Sequence, residues 1–142
     1  MDMAERVAQQ SSATRLKCGV IIVTNSGDGA IFIGYNGTPT GWDNICENEE
    51  WDSNGFKRLK TKPEVLHAEM NALTKVARST LSCEGAVLFT THSPCIECAK
   101  AIYQSGIREV YYKHKYRIED GIIFLRKCGV SINELGVSGS GN

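Results

Sequence analysis

An α/β fold, a mixed sheet covered on both faces by helices, is predicted from three features of the sequence. Two β-branched runs, at 18–24 and 30–35, flank the turn-forming stretch Asn25–Gly29 and read as an antiparallel hairpin. Beyond the hairpin, helical and strand patterns alternate, which implies that the C-terminal half of the sheet is parallel. The chain has 142 residues, 42% of them hydrophobic and 23% charged, which is the size and balance of one globular domain.

Each element has its own local reason. Asp2 followed by Glu5 resembles a capping box, and Met3, Val7 and the alanines extend a short helix to about Ser11. Residues 37–62 break all periodicity with Gly37, Pro39, Gly41, Asn44, Asn48, Asn54 and Gly55. A loop that long in a small domain is expected to frame a site or an interface. Leu66, Met70, Leu73 and Val76 then recur at helical spacing to about Thr80, and 86–90 reads as a strand. Ser93-Pro94 has the form of an N-cap followed by proline at the first helical position, with the helix running to Gln104 and stopping at Gly106. Residues 108–113 alternate as a strand, 120–127 read as a helix closed by Gly129, and 130–132 read as a short last strand. The domain spans 1–135, and the Gly/Ser-rich stretch 136–142 is a flexible tail by composition.

Composition excludes several function classes. Sixteen basic and sixteen acidic side chains cancel, so the chain lacks the basic excess on which polynucleotide binding rests. No apolar run has the length of a membrane span, and residues 1–10 lack the apolar core of a signal peptide, so a cytoplasmic protein with reduced thiols is expected. Of the six cysteines, Cys18, Cys83 and Cys128 read as small buried hydrophobes, while Cys46 has no clear assignment.

Cys95 and Cys98 are different. Three apart in the first turn of a helix, they share one face. His67 stands near the start of the preceding helix, and in an α/β sheet two such helix starts meet at one edge. One imidazole and two thiolates suit zinc and leave a fourth position for water. Glu69 lies two residues beyond His67. In mid-helix that spacing turns side chains about 200° apart, so both serve one site only if His67 sits in the first turn. Glu69 is then the group that takes a proton from the water. A closed structural zinc site would need a fourth protein ligand; His92 is the nearest candidate, but a satisfied or solvent-facing histidine is the better reading, and His114 is not expected to ligate.

His67-Ala68-Glu69 followed by Pro94-Cys95-x-x-Cys98 resembles the signature of the zinc-dependent cytidine deaminase superfamily. Gly34-Tyr35-Asn36-Gly37-Thr38-Pro39, His67–Ala72, Ser93–Lys100 and Gln104–Ile107 resemble the deoxycytidylate deaminases more narrowly. The resemblance implies a three-layer fold with a mixed five-stranded sheet, and hydrolytic deamination of dCMP to dUMP, which supplies dTTP synthesis. It implies zinc-assisted attack on C4 of cytosine, with Glu69 protonating N3 and then the departing ammonia. Asn36 matches the residue that contacts the sugar, Tyr116 one that closes over the base, and the backbone at Ala68 and Ser93 would orient the pyrimidine. Arg15, Lys17 and Arg117 are the phosphate candidates. Gly34, Tyr35, Gly37 and Thr38 fall where the resemblance implies control by dCTP as activator and dTTP as inhibitor, with Mg2+ accompanying the triphosphate, in a hexamer. With three histidines in all and Cys46 alone, one zinc per chain is expected. Dual dCMP/dCTP deamination, nucleoside or polynucleotide deamination, and a non-catalytic zinc scaffold are the alternatives.

Overall fold

In the computed structural model, which describes residues 1–25 and 29–136, the chain folds as helix α1 (Asp2–Ala8), strands β1 (Gly19–Val23), β2 (Ile31–Tyr35), β3 (Glu47–Trp51) and β4 (Lys57–Thr61), helix α2 (Ala68–Ala77), strand β5 (Val87–His92), helix α3 (Ile96–Gln104), strand β6 (Glu109–His114), helix α4 (Asp120–Lys127) and strand β7 (Ser131–Glu134). Five strands form one sheet in the order β2-β1-β5-β6-β7. β1 pairs antiparallel with β2 and β5, whereas β5–β6 and β6–β7 are parallel. The mixed sheet and its parallel C-terminal half are as the sequence predicts. The central residues of the predicted turn, 26–28, and the tail beyond 136 lie outside the described residues.

Two apolar layers hold the sheet. On one face Val20, Ile22, Leu88, Val110, Tyr112 and Ile132 pack with Ala72, Val76, Ile102, Ile122 and Leu125 of α2, α3 and α4. On the other, Ala4 and Val7 of α1 meet Ile21, with Val23, Tyr35 and Phe89 at the margin. Two glycines mark where helices touch strands most closely. A Cβ on Gly19 would lie 2.1 Å from the Ala4 carbonyl oxygen, and one on Gly34 would lie 2.4 Å from that of Ala68.

The alternation of direction puts the site at one edge. β1 begins at the edge where β2, β5 and β6 end, because it runs against β2 and β5. The segments before β1 and after the other three strands therefore converge there.

Three local expectations need correction. The Asp2/Glu5 capping box does not form: Met1 is the N-cap of α1, without a side-chain cap bond, and the helix is followed by a turn rather than continuing to Ser11. Ser93-Pro94 is not the cap of α3, whose N-cap is Cys95, so the proline sits one residue outside. The stretch 37–62 is not all loop, since it holds the antiparallel ribbon β3–β4. The ribbon strands, Glu-Asn-Glu-Glu-Trp and Lys-Arg-Leu-Lys-Thr, hide no apolar face and so lack the alternation by which strands are recognised. Opposite charges meet across the ribbon, as in the diagonal Lys57–Glu49 pair at 3.0 Å. Its turn is closed by the Asp52 carboxylate, which accepts from the N–H groups of Asn54 and Phe56.

Gly19→Ala should destabilise the protein by about 1–3 kcal/mol, because α1 must move off the sheet to admit the methyl group. Urea denaturation of the variant against the parent protein measures this, and an unchanged midpoint would contradict the contact.

Candidate active site

The N-caps of α2 and α3 are His67 and Cys95, both extended at ψ 153° and 170°. Each side chain therefore leaves the chain where it turns into a helix. Cys98 lies one turn into α3, and His67 Nδ1 stands 3.4 Å from its Sγ and 3.6 Å from that of Cys95. Among the described residues this is the one group of three or more His, Cys, Asp or Glu donors close enough to share a metal ion; all three ligand atoms lie within 4.8 Å of one another. Tetrahedral zinc, with bonds of about 2.0 Å to nitrogen and about 2.3 Å to sulfur, would space such donors roughly 3.6 Å apart. The residues fit the metal.

Packing sets the positions of these caps. A Cβ on Gly121, in the first turn of α4, would lie 2.1 Å from the Pro94 carbonyl oxygen and 2.9 Å from that of Cys95. The start of α4 thus presses against the entry to α3. On the other side Gly37 and Leu66 exchange backbone hydrogen bonds of 3.1 and 2.8 Å, which fixes the chain just before His67.

Glu69 is buried in the first turn of α2. In the metal-free chain, burial pushes its carboxyl up to about 7. Hydrogen bonds with the Cys98 thiol and then His67 hold Cys95 down at about 3, while its bond to Cys95, with burial, raises Cys98. His67 is raised, chiefly by its hydrogen bond with Cys95.

A cavity of about 390 Å³ opens onto these groups, lined by Arg15, Cys18, Asn36, Glu47, Thr61, His67, Ala68, Glu69, His92, Ser93, Cys95 and Tyr116 among others. Of the sequence-predicted substrate residues, Arg15, Asn36, Ala68, Ser93 and Tyr116 line it, whereas Lys17 and Arg117 do not. The Asn36 amide joins the two halves of the wall, donating to the Leu16 carbonyl at 2.7 Å and accepting from the Cys18 N–H at 2.9 Å. The Ser93 hydroxyl accepts from the Tyr116 N–H at 2.7 Å and so anchors the segment that carries that ring.

Gly34, Tyr35, Gly37 and Thr38 lie outside the lining. Gly34 is the point where α2 crosses β2, the Tyr35 carbonyl accepts from the Asn71 side chain, and the Thr38 hydroxyl donates to the Asp43 carbonyl.

Among the lining residues that sequence reasoning did not place at the substrate are the polar side chains Glu47, Thr61 and His92, the last weighed only as a metal ligand. The Thr91 hydroxyl accepts from the Gly19 N–H and lies within hydrogen-bond reach of His92 Nδ1, at 3.0 Å. Burial, with His114 beside it, keeps this imidazole below the usual histidine range. Its place at the C-terminal end of a strand, just before the cysteines, was the available signal. Cys18, expected as a core thiol, partly faces the cavity instead, and burial pushes it up to about 12.

A three-donor metal site beside a buried carboxyl, at the edge of a mixed α/β sheet, defines the class of metal-assisted hydrolytic enzymes. The cytidine and deoxycytidylate deaminase zinc-binding region matches residues 1–114. The deoxycytidylate deaminase of Enterobacteria phage T4 is 33% identical over 93% of this chain and 86% of its own length. The human deoxycytidylate deaminase is 36% identical over 84% of this chain and 66% of its own. The crystal structure of the dCMP deaminase of cyanophage S-TIM5, in complex with dCMP and dUMP, superposes with a TM-score of 0.81 at 45% identity, covering 94% of this chain and 92% of that one. The chain belongs to the cytidine and deoxycytidylate deaminase family.

Two outcomes follow from the geometry. Gly121→Ala should weaken zinc binding by about tenfold or more, as read by competition with a chromogenic chelator, since the Cys95 turn must shift to admit the methyl group. In the metal-free protein, Glu69 holds its proton more tightly folded than unfolded. Its contribution is therefore complete below about 4.5, the ordinary carboxyl value, and is lost as the pH rises through about 7. Chelator-treated Glu69→Gln should melt higher than chelator-treated parent at pH 8, and the gain should vanish at pH 4.

Proposed function

We propose that the chain hydrolyses dCMP to dUMP and ammonia, with His67, Cys95 and Cys98 holding one zinc ion and Glu69 moving the protons. The observation that carries this reading is the buried Glu69 carboxyl on the wall of the cavity that contains the donor triad. The cavity volume lies at the small end of ligand pockets, roughly 300–1,000 Å³, in keeping with a mononucleotide. The 45% identity to a protein crystallised with dCMP and dUMP supports this substrate over a nucleoside or a polynucleotide.

When bound, zinc would act as a Lewis acid that makes a water in its fourth position more acidic. The remaining chemistry belongs to side chains. Glu69 takes a proton from the water that attacks C4 and delivers it to N3, then passes a second proton to the amine that leaves as ammonia. Burial, which favours the neutral form of Glu69, suits a carboxyl that must hold a proton between two transfers. The base is taken to sit between the Ala68 and Ser93 backbone and the Tyr116 ring, with the sugar toward Asn36 and the phosphate toward Arg15. Lys17 and Arg117, outside the lining, would at most add to the field around the entrance.

The same proposal covers residues 1–135 as one catalytic domain in the cytoplasm that supplies dUMP for dTTP synthesis. Among the described residues, no helix is long and apolar enough to cross a membrane. It also keeps a hexamer, activation by dCTP with Mg2+, and inhibition by dTTP bound at 34–38. What supports an effector there is mechanical: the Gly37–Leu66 bridge adjoins His67, and Asn71 of α2 holds the Tyr35 carbonyl. A ligand that shifts this strand end would move the metal-bearing helix start.

Loss of cytosine absorbance with deoxycytidine, dCMP and dCTP, with and without dTTP, tests the reading. Fast dCMP turnover suppressed by dTTP is expected, whereas no turnover of dCMP by zinc-loaded protein would overturn it. Glu69→Gln should stay folded and zinc-loaded yet lose activity by about 10²–10⁴-fold. An unimpaired variant would remove Glu69 from the mechanism.

A further inference from the structure

The ribbon β3–β4 has no apolar face to bury, yet its root reaches the active-site cavity through two residues, Glu47 and Thr61. They are directly opposed in the ribbon register, so their side chains project from the same face. Both act on Arg15. Glu47 Oε2 accepts from the backbone N–H groups of Thr14 at 2.8 Å and Arg15 at 3.1 Å. The Arg15 guanidinium donates to Thr61 Oγ1 at 3.4 Å. One cross-strand pair thus holds Arg15 at both ends.

Neighbouring contacts strengthen the clamp. The Ser12 hydroxyl donates to the Asn44 carbonyl at 2.8 Å, and the Lys62 N–H donates to the Cys46 carbonyl at 2.8 Å where the ribbon closes. The segment between α1 and β1 therefore takes its course from the ribbon. Arg15 itself enters no ion pair among the described residues, and most of its planar donor fork stays open at the wall of the cavity. Such a fork suits a phosphate, which it can meet through two parallel hydrogen bonds. Both backbone donors go to Oε2 of Glu47, so this oxygen is committed to the Thr14–Arg15 backbone.

We propose that Glu47 is a positioning residue for the substrate's 5′-phosphate. It acts through Arg15, with Thr61 as the second hold, and so makes the ribbon the element by which the enzyme distinguishes nucleotide from nucleoside. This rests on the deaminase reading above, and goes beyond it in assigning the hold on Arg15 to residues of the ribbon.

The test compares the parent protein, Glu47→Ala, Glu47→Gln, Arg15→Ala and the Glu47→Ala/Arg15→Ala double variant, all zinc-loaded. Turnover of dCMP and deoxycytidine is measured for each. Equilibrium binding of both is measured in the same variants carrying Glu69→Gln. Glu47→Ala should raise KM for dCMP by about tenfold, the scale of one lost charge-assisted contact, with kcat within twofold and deoxycytidine kinetics unchanged. Glu47→Gln, which keeps an acceptor, should recover part of the loss. The double variant should be no worse than Arg15→Ala alone, because Glu47 acts through that residue.

Equal losses for dCMP and deoxycytidine, an unchanged KM for dCMP, or additive effects in the double variant would each overturn the inference while leaving the deaminase standing. Absence of turnover in the parent, with dCMP still bound more tightly than deoxycytidine and that preference lost in Glu47→Ala, would overturn the deaminase reading and support the phosphate subsite. Equal binding of dCMP and deoxycytidine by the parent would overturn the subsite whatever the turnover.

Discussion

The N-termini of α2 and α3 converge on one edge of the sheet, and the donor triad exists only because they do. An N-cap residue has extended backbone and stands at the point where the chain enters the helix, so its side chain can face outward along the axis. Here both cap positions are given to ligands, His67 and Cys95, and neither makes the side-chain bond that usually satisfies a helix start. The positive end of the α3 dipole lies at Cys95, where it favours thiolate. Glu69 and Cys98 follow within the next turn. Burial of Glu69 and the opposite shifts of the two thiols are consequences of the same convergence.

Holding two helix starts together needs close packing rather than strong bonds. β2 meets α2 at Gly34 and α4 meets the entry to α3 at Gly121, both at distances that leave no room for a methyl group. The strand directions complete the arrangement. Because β1 runs against β2 and β5, the chain entering β1 lies beside the ends of the other strands. Asn36, at the end of β2, ties that entering chain down with both ends of its amide.

The ribbon follows different physics. It is held by its ladder and by exposed ion pairs such as Lys57–Glu49, each worth little on its own. An element of this kind contributes little to the core, and its value lies in the residues at its root. There Glu47 and Cys46 grip the segment that precedes β1, through two amide contacts at Glu47 and a 3.5 Å approach of the Cys46 thiol to the Ser12 hydroxyl.

Much of this was legible before any coordinates. The hairpin, the three later helices and the parallel strands show in periodicity and punctuation, because burying one face of a helix or strand demands a fixed spacing of apolar residues. The donor triad shows as well, because metal ligation demands particular side chains at particular intervals. The ribbon did not show, since its strands are solvated on both faces and carry no such spacing. Nor did the roles of Glu47, Thr61 and Gly121. Glu47 binds backbone amides 32 and 33 positions away, and an amide is common to almost every residue, so nothing in residue type announces the contact. Gly121 acts through the absence of an atom against a carbonyl more than twenty positions earlier. Local elements and ligand chemistry were determined by the sequence alone, through the spacing that burial and coordination impose. Which distant backbone a side chain meets was decided only by the tertiary structure, through packing that leaves no periodic trace.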